Sequence, residues 1–264
     1  MPPMTTKAEP GQPGPSARIR TAAQRLVNAR RAKVRLKEMM ADCKPMSMRE
    51  AWDIQDAATE MLGERIRGWK VFTPPGEELA RGAIINSLFF EGDSDVDASL
   101  VPFLGMEAEI AFKLNADLPK RATPYTREDV APAMSACAAI EIIQSRYVDF
   151  NTVTLYERVA DHFLSGAFVH GPVKNDWASL DLSKAHVTLA VDGIVVIDAI
   201  GGHPKGDPVL PVVDLANHFR NGRGLKAGEV VTTGSFTGLV CIKPGQTVKV
   251  TVDGLGSVQA LLRM

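Results

Sequence analysis

Cysteine is scarce in this chain of 264 residues, which contains only Cys43, Cys137 and Cys241. These positions give neither a disulfide framework nor a zinc-finger spacing. Cys137 and Cys241 lie in apolar segments, where cysteine is typical of a small core residue. No apolar run approaches the roughly 18 to 20 residues that cross a bilayer. We therefore expect a protein of the reducing cytoplasm that does not span a membrane.

An excess of charge of either sign is also missing. The chain has 30 basic and 31 acidic residues, a formal net charge of -1. This balance gives no reason to expect nucleic acid or an anionic membrane as partner. The basic run at residues 30–37 is typical of the solvated face of a helix, with phosphate binding as the alternative. Sequence patterns of P-loops, dinucleotide sites, nucleophile elbows and histidine metal sites do not occur.

The distribution of helix and strand signals predicts an α+β fold. Residues 1–16 are rich in proline and glycine and are predicted to form a disordered tail without the apolar core of a signal peptide. Residues 17–68 predict a helical N-terminal part, with a capping-box pattern from Ser47 to Glu50. Residues 69–264 contain mostly strand patterns and one helix at 209–220. Helices followed by strands favour α+β over an alternating βαβ sheet. Strands are predicted at 69–73, 108–114, 138–145, 187–191, 195–199, 230–232, 248–252 and 258–262.

Two glutamates separated by one alanine, Glu107 and Glu109, begin one of these strands. Positions i and i+2 of a strand point to the same face, so the two carboxylates lie side by side and repel each other unless a cation lies between them. Glu141 lies in the apolar run 138–143, where an acid is poorly explained by solvation. These segments supply no lysine or arginine partner. The pattern indicates a site for Mg²⁺ or Mn²⁺, and the alternative is the wet face of an edge strand.

Three further features are candidates for chemistry. Lys70 has apolar neighbours that could pull it toward the neutral form by desolvation and suit it to acid–base work, and the alternative is a lysine on the polar face of the strand with its ammonium in water. Arg146 could bind a substrate carboxylate or neutralise the acid cluster. The segment 232–238, rich in glycine, serine and threonine, follows a strand and could bring backbone N–H groups close to a small anion.

These segments together resemble the 2-oxopent-4-enoate hydratase and 4-oxalocrotonate decarboxylase family, within the fumarylacetoacetate hydrolase superfamily. The matching stretches occur in the family's order along nearly the whole chain after the tail. Each is weakly specific alone, and the ordered set is specific. They are Ala51-Trp52-Asp53-Ile54-Gln55, Gly68-Trp69-Lys70, 105–112, 141–147, Val159-Ala160-Asp161, 233–238 and 254–258.

The resemblance implies a mixed β-sandwich roll with a helical N-terminal part. It also implies that Glu107, Glu109 and Glu141 bind Mg²⁺ or Mn²⁺, which chelates the 1-carboxylate and 2-oxo oxygen of a small-molecule substrate. Family members form homo-oligomers and serve the meta-cleavage route of bacterial aromatic degradation. A homo-oligomer is therefore expected, and a complex with another enzyme of the pathway stays open.

The resemblance also assigns roles to other side chains. Lys70 is expected to act as a proton shuttle or electrostatic partner. Arg146 stays the candidate to bind substrate that its own residue type suggests. Gly234, Ser235 and Thr237 are expected to hold the substrate carboxylate. Asp161 and His162 stand where the family commonly has Ala-Asp-Asn. They are further catalytic candidates, and His162 either supplies an acid–base group or fills space.

This chain departs from the family pattern at residues 82–89, where family hydratases often have an acid and this chain has none. It also has Phe72-Thr73 after the lysine, where Gly-Leu-Thr is usual. The favoured function is metal-dependent hydration of a 2-hydroxy-2,4-dienoate or 2-oxo-4-enoate to a 4-hydroxy-2-oxo acid. Decarboxylation of a 4-oxalocrotonate-type 2-oxo acid is the alternative. Hydrolytic C–C cleavage of an acylpyruvate ranks lower, because no histidine precedes His162 to activate water. A non-catalytic partner protein is the remaining possibility.

Overall fold

The computed structural model describes residues 16–73 and 76–264. The predicted tail therefore lies outside the described residues except for Ser16, as do Pro74 and Pro75. None of the described helices is long and apolar enough to cross a bilayer. The helices are α1 (Ala17–Arg31), α2 (Met48–Leu62), α3 (Arg127–Val130), α4 (Leu155–Ala160) and α5 (Leu210–Phe219).

Side-chain caps set the starts of the first two helices. Ser16 accepts a hydrogen bond from the Ile19 N–H of α1, and Ser47 accepts one from the Glu50 N–H of α2 at 3.2 Å. The predicted N-cap is therefore present, although the Glu50 carboxylate accepts from the N–H of Met46 instead of closing the capping box. Helix α2 ends at Gly63, whose φ of 69° is the left-handed conformation that glycine adopts freely.

The described residues form thirteen strands in two sheets. One mixed sheet has the order β2-β1-β10-β5-β6-β7-β3, with β11 also paired to β5. Its strands are β1 (Ile66–Phe72), β2 (Ala80–Ile85), β3 (Phe89–Glu91), β5 (Gly105–Leu114), β6 (Met134–Ile143), β7 (Ser165–His170), β10 (Val230–Ser235) and β11 (Val240–Cys241). The second sheet has the order β4-β13-β12-β8-β9. Its strands are β4 (Ser94–Asp97), β8 (His186–Val191), β9 (Ile194–Ile200), β12 (Thr247–Val252) and β13 (Gly256–Arg263).

The two sheets pack face to face over one large apolar core, with β12 and β13 of the second sheet against β6 of the first. Strand β6 is buried along its whole length, which explains its continuous apolar sequence. Helices α1, α2 and α4 form a second apolar cluster. The predicted α+β class and the mixed β-roll are confirmed.

The boundaries differ from the predicted ones in several places. Strand β1 begins at Ile66, inside the segment predicted to be helical, and α4 adds a helix from the middle of the chain to the helical cluster. Strands β2 and β7 are buried on both faces. They therefore lack the alternation of polar and apolar residues by which a half-exposed strand is recognised.

Gln55 of α2 closes the free edge of β2. Its side-chain amide donates to the carbonyl oxygens of Arg81, at 2.8 Å, and Val159. Its carbonyl oxygen accepts from the Ala83 N–H at 3.1 Å and from the Arg81 guanidinium at 3.0 Å. The side chain is fully buried. One glutamine therefore replaces a neighbouring strand and joins the helical cluster to the sheet.

Replacing this glutamine should destabilise the fold. Gln55→Leu keeps most of the volume but leaves several buried polar groups of β2 and α4 without partners. We expect a loss of about 3 kcal/mol in the free energy of unfolding, since each unsatisfied buried group costs ~1–3 kcal/mol. Urea denaturation measures this loss. Gln24→Leu, on the exposed face of α1, is the control, with an expected change within about 0.5 kcal/mol. Equal stability of the two variants would contradict the edge-closing role of Gln55.

Candidate metal centre and substrate pocket

The antiparallel pairing of β5 and β6 brings the three predicted glutamates together. Glu107 lies directly opposite Glu141 in the register of these strands, and Glu109 follows two residues later on the same face. One carboxylate oxygen from each residue lies within 4.8 Å of the other two. Glu109 and Glu141 are buried, whereas Glu107 is partly exposed. Three carboxylates from two neighbouring strands thus face one point.

The hydrogen bonds of this cluster leave oxygen lone pairs free. Glu109 accepts from the Thr232 hydroxyl and, at 3.0 Å, from the Gly234 N–H. The buried Oε2 of Glu141 has no hydrogen-bond partner among the described residues. An orphaned carboxylate oxygen inside a protein is costly. A hard cation bound by these oxygens would remove that cost, and oxygen ligands are those that Mg²⁺ and Mn²⁺ prefer.

The electrostatics of the cluster agree with this interpretation. Burial, and next the charge of Glu107, raise the pKa of Glu109. Burial likewise raises the pKa of Glu141 well above its usual range, and the two other glutamates add to the effect. The three charges are therefore unfavourable together unless positive charge is close. A divalent cation would favour the ionised form of all three.

Lys70 of β1 supplies part of that positive charge. Its Nζ lies 2.8 Å from Glu141 Oε1 and 3.7 Å from Glu107 Oε2. Burial alone would lower the pKa of Lys70, but the charges of the glutamates outweigh burial and raise it above the usual value. Lys70 is thus held as an ammonium ion that is hydrogen-bonded to Glu141, rather than as the neutral amine that desolvation alone would favour.

Gly234 and the residues after it form the side of the site next to β10. Gly234 has a φ of +119°, a backbone conformation that residues with a Cβ rarely adopt, so this position needs glycine. Its N–H is bonded to Glu109 and is not free for a substrate. The Thr237 hydroxyl accepts from the Ala108 N–H at 3.1 Å and donates to the Gly238 carbonyl at 3.0 Å. Ser235 is the hydroxyl-bearing residue of this segment that lines the pocket, and its hydroxyl donates to the Gly238 carbonyl at 3.3 Å and accepts from the Thr237 N–H at 3.2 Å.

A pocket of about 230 Å³ opens over the glutamates. Its polar side consists of Lys70, Glu107, Glu109 and Ser235, together with the backbone of Gly234. The rest of its described lining is apolar. These residues are Val71, Phe72, Phe163 and Pro204. The pocket thus combines a charged base with an apolar wall, as expected for a small organic acid with a hydrocarbon part.

The sequence analysis missed Phe163, which an unusual backbone carries into the pocket. His162, Phe163 and Leu164 have φ values of 56°, 50° and 63°. This left-handed region costs residues with a Cβ about 1–2 kcal/mol each. The Phe163 ring centroid lies 5.3 Å from Lys70 Nζ. Gly82 of β2 lets the turn approach, because a Cβ there would lie 2.1 Å from the His162 carbonyl oxygen. No local sequence signal marks three successive left-handed residues.

Arg146, Asp161 and His162 lie behind this wall and not among the residues that line the pocket. The Arg146 guanidinium forms a buried ion pair with Asp161, whose carboxylate also accepts from the Arg146 N–H at 2.8 Å and the Ser145 hydroxyl at 3.0 Å. The His162 ring lies 3.0 Å from the Thr59 hydroxyl, and burial lowers its pKa well below the usual range. Their expected substrate-binding and catalytic roles stay predictions, since in this structure the three side chains are engaged away from the pocket lining. These residues instead anchor the turn that carries Phe163.

Comparison with known proteins supports the fold and a divalent-metal site. Residues 72–263 match the family model described as fumarylacetoacetate (FAA) hydrolase C-terminal. A 2-keto-4-pentenoate hydratase of Burkholderia vietnamiensis is 35% identical over 209 residues, which are 75% of this chain and 78% of that protein. A 2-hydroxyhexa-2,4-dienoate hydratase of Comamonas testosteroni is 31% identical over 90% of this chain and 95% of that protein. The solved structure of 4-oxalocrotonate decarboxylase from Pseudomonas putida G7, complexed with magnesium and adipate, is 26% identical. It superimposes with a TM-score of 0.82 over 96% of this chain and all of that chain. The chain belongs to the fumarylacetoacetate hydrolase family.

Proposed function

We propose that this protein is a metal-dependent lyase that adds water to a 2-hydroxy-2,4-dienoate or 2-oxo-4-enoate to give a 4-hydroxy-2-oxo acid. The observation that carries the proposal is the convergence of Glu107, Glu109 and Glu141 below a small pocket with an apolar wall. The hydratases among its relatives support the same chemistry.

The metal in this proposal is Mg²⁺ or Mn²⁺, held by the three glutamates. The magnesium complex of the related decarboxylase supports this choice. When bound, the cation supplies Lewis acidity toward the 2-oxo group and the adjacent carboxylate of the substrate. The unpartnered Oε2 of Glu141 and the partly exposed carboxylate of Glu107 are the oxygens best placed to take it up.

Lys70 and Ser235 complete the proposed machinery. The Lys70 ammonium holds a proton at Nζ beside the glutamates. From there it can stabilise negative charge that develops on the substrate oxygen, pass its proton to the substrate carbon chain and recover a proton from the water whose OH adds to the other carbon, so that one water molecule is added in all. Ser235 can donate its hydroxyl to the substrate carboxylate. Thr237 and Gly234 hold this segment through their bonds to β5, while Asp161, Arg146 and His162 position the turn of Phe163.

The apolar wall favours hydration over decarboxylation. A 4-oxalocrotonate-type substrate carries a second carboxylate at its far end, which would face Phe72, Phe163 and Pro204. Among the described residues that line the pocket, Lys70 is the single cation, and it is engaged by Glu141. Burying a carboxylate against apolar side chains without a partner is costly. An uncharged far end fits this wall better.

Decarboxylation is retained as the second candidate because β2 carries no acid beside the site, and the magnesium-bound decarboxylase has the same fold. Acylpyruvate hydrolysis has less support, since the described residues of the pocket wall include no histidine to activate water. A non-catalytic partner would leave the convergence of three acids and a lysine unexplained.

A substrate comparison tests the proposal. With Mg²⁺ or Mn²⁺, we expect 2-keto-4-pentenoate to be hydrated with a kcat/KM at least about tenfold above that for decarboxylation of the diacid 4-oxalocrotonate, a difference of ~1.4 kcal/mol. NMR detects the hydroxylated product, and CO₂ release reports the competing reaction. EDTA should stop both. Faster CO₂ release would favour the decarboxylase, and binding of metal without turnover of any 2-oxo acid would favour the non-catalytic partner.

We further propose that the protein acts as a homo-oligomer in the cytoplasm. Strand β9 lies at an edge of its sheet and exposes four large apolar side chains, unusual for a strand in contact with water alone. They are Ile194, Val195, Val196 and Ile200. The three free cysteines are consistent with a reducing compartment. The same strand could serve a complex with another enzyme of the pathway.

A further inference from the structure

A second cavity, of about 300 Å³, lies between the C-terminal end of α1, the segment 33–35 and residues 144–146. It shares no lining residue with the pocket above the glutamates. Residues 85–88 and 99–102 close its other sides. The proposed lyase reaction makes no use of this cavity.

The described lining of this cavity is strongly basic. Its cationic residues are Arg30, Arg31, Lys33, Arg35 and Arg146. Glu64 is the one acidic residue of this described lining. Its carboxylate already accepts hydrogen bonds from Ser87, from the N–H at 2.8 Å and from the hydroxyl at 2.9 Å. The cavity therefore has a large excess of positive charge.

Arg30 is the cation in this lining that has neither a hydrogen-bond acceptor nor an aromatic partner among the described residues. Arg146 is paired with Asp161, and Arg31 donates to the Met61 carbonyl at 2.9 Å. The two others are also engaged, because the Lys33 ammonium lies 3.1 Å from the Ser99 hydroxyl and the Arg35 guanidinium lies 4.3 Å from the Phe103 ring centroid. The half-buried Arg30 guanidinium thus brings its N–H donors to the cavity unused.

The surroundings of Arg30 increase the cost of leaving it unpaired. Burial, and next the charge of Arg146, lower the pKa of Arg30 to about 9. Asp161, and next Glu64, oppose this shift, but both oxygens of Asp161 are bonded to Arg146 and Ser145. A desolvated guanidinium without a counter-charge is unfavourable. An anion in the cavity would remove that penalty.

We propose that this cavity binds a compact oxyanion, a phosphate or a small carboxylate, through the guanidinium of Arg30. The planar fork of an arginine matches two oxygens of either group. Lys33 at the rim adds a second positive charge. Its ammonium group can contact an incoming anion once it releases the Ser99 hydroxyl. A volume of about 300 Å³ admits inorganic phosphate or a dicarboxylate of a few carbons.

Calorimetric titration of the full-length protein tests this site. The protein is first freed of metal with EDTA, so that the glutamate cluster cannot hold an anion through a cation. Inorganic phosphate and succinate are the two probes, at constant ionic strength with chloride as the background anion. We expect saturable binding of at least one probe to the wild-type protein.

Arginine variants identify the binding group. Arg30→Gln should weaken probe binding at least about tenfold, or ~1.4 kcal/mol, and Arg30→Lys should restore part of it, since it keeps the charge but not the fork. Arg20→Gln, on the exposed face of the same helix, is the matched control and should bind like wild type. Circular dichroism melting curves check that the variants fold.

The outcomes separate the possible sources of the anion. Binding of phosphate alone identifies a phosphate site, binding of succinate alone a carboxylate site, and binding of both a general oxyanion site. Absence of binding to the wild-type protein, or equal binding by Arg30→Gln, overturns the proposal. It is also overturned if neither probe binds and sedimentation shows that Arg30→Gln dissociates an oligomer, because a second copy of the chain then covers Arg30. Since the readout is binding without metal, failure here leaves the proposed lyase function untouched.

Discussion

Glu107→Gln should leave the protein folded and remove both metal binding and activity. Glu107 is the partly exposed member of the cluster, so an amide is tolerated there better than at the buried Glu109 or Glu141. The amide offers only a neutral, weaker oxygen ligand and removes one of the three negative charges, and its NH₂ group cannot coordinate. We expect Mg²⁺ titration to show no saturable binding, and kcat/KM to fall by about 10³, or ~4 kcal/mol, as when a main electrostatic stabiliser is removed.

The control for this change is Glu60→Gln, which alters an exposed glutamate at the end of α2. It should keep wild-type metal affinity and turnover. The informative comparison is whether metal binding and activity are lost together. Full activity of Glu107→Gln in Mg²⁺ or Mn²⁺ would mean that the glutamate cluster is not the metal centre, and the proposed function would lose its basis.

Lys70→Met should separate the two properties that Glu107→Gln removes together. The methionine keeps much of the length and apolar character of the side chain but carries no proton and no charge. We expect kcat to fall by about 10²–10⁴, the range for a positioned acid–base group. Mg²⁺ affinity should be retained or increased, because the Lys70 ammonium beside Glu141 and Glu107 competes electrostatically with a cation for the same carboxylates.

Calorimetry with Mg²⁺ and steady-state turnover, measured on the same preparation, test this separation. Without metal, Lys70→Met should also unfold at a lower temperature than wild type, since the three acids lose their counter-charge, and Mg²⁺ should restore more stability to it than to wild type. Lys249→Met, an exposed lysine of β12, is the matched control. If Lys70→Met binds metal as poorly as Glu107→Gln, the lysine supports the metal centre structurally and does not act as a separate proton donor.

Local sequence rules were enough to single out the three glutamates that the structure brings together. The spacing of Glu107 and Glu109 places both on one face of a strand whatever the rest of the fold does. Glu141 was recognisable because an acid among apolar residues has no ordinary explanation. The cap of α2 at Ser47 and the hairpin at Asp192-Gly193, with φ values of 50° and 81°, were predictable for the same reason. Each depends on a few neighbouring residues.

The positions of the other side chains around the glutamates depend on long-range strand pairing and could not be predicted from local sequence patterns. Lys70 meets the glutamates because β1 pairs in parallel with β10, which then pairs with β5, and no local pattern states that order. Arg146 and Asp161 lie 15 positions apart in the sequence and form an ion pair with each other. They do not line the pocket. Phe163 enters the pocket through backbone angles that its residue type does not favour. The family resemblance supplied the metal chemistry but not these placements.

The turn at residues 162–164 lowers the stability of the fold and, in the proposed function, positions the Phe163 ring that selects the substrate. Its backbone would be relaxed by glycine at any of the three positions, each exchange returning about 1 kcal/mol or more of stability. The same exchange would free the segment to move and release the Phe163 ring from its place 5.3 Å from Lys70 Nζ, or remove the ring altogether. Substitutions that stabilise the fold at these positions would therefore weaken the proposed preference for substrates with an uncharged far end.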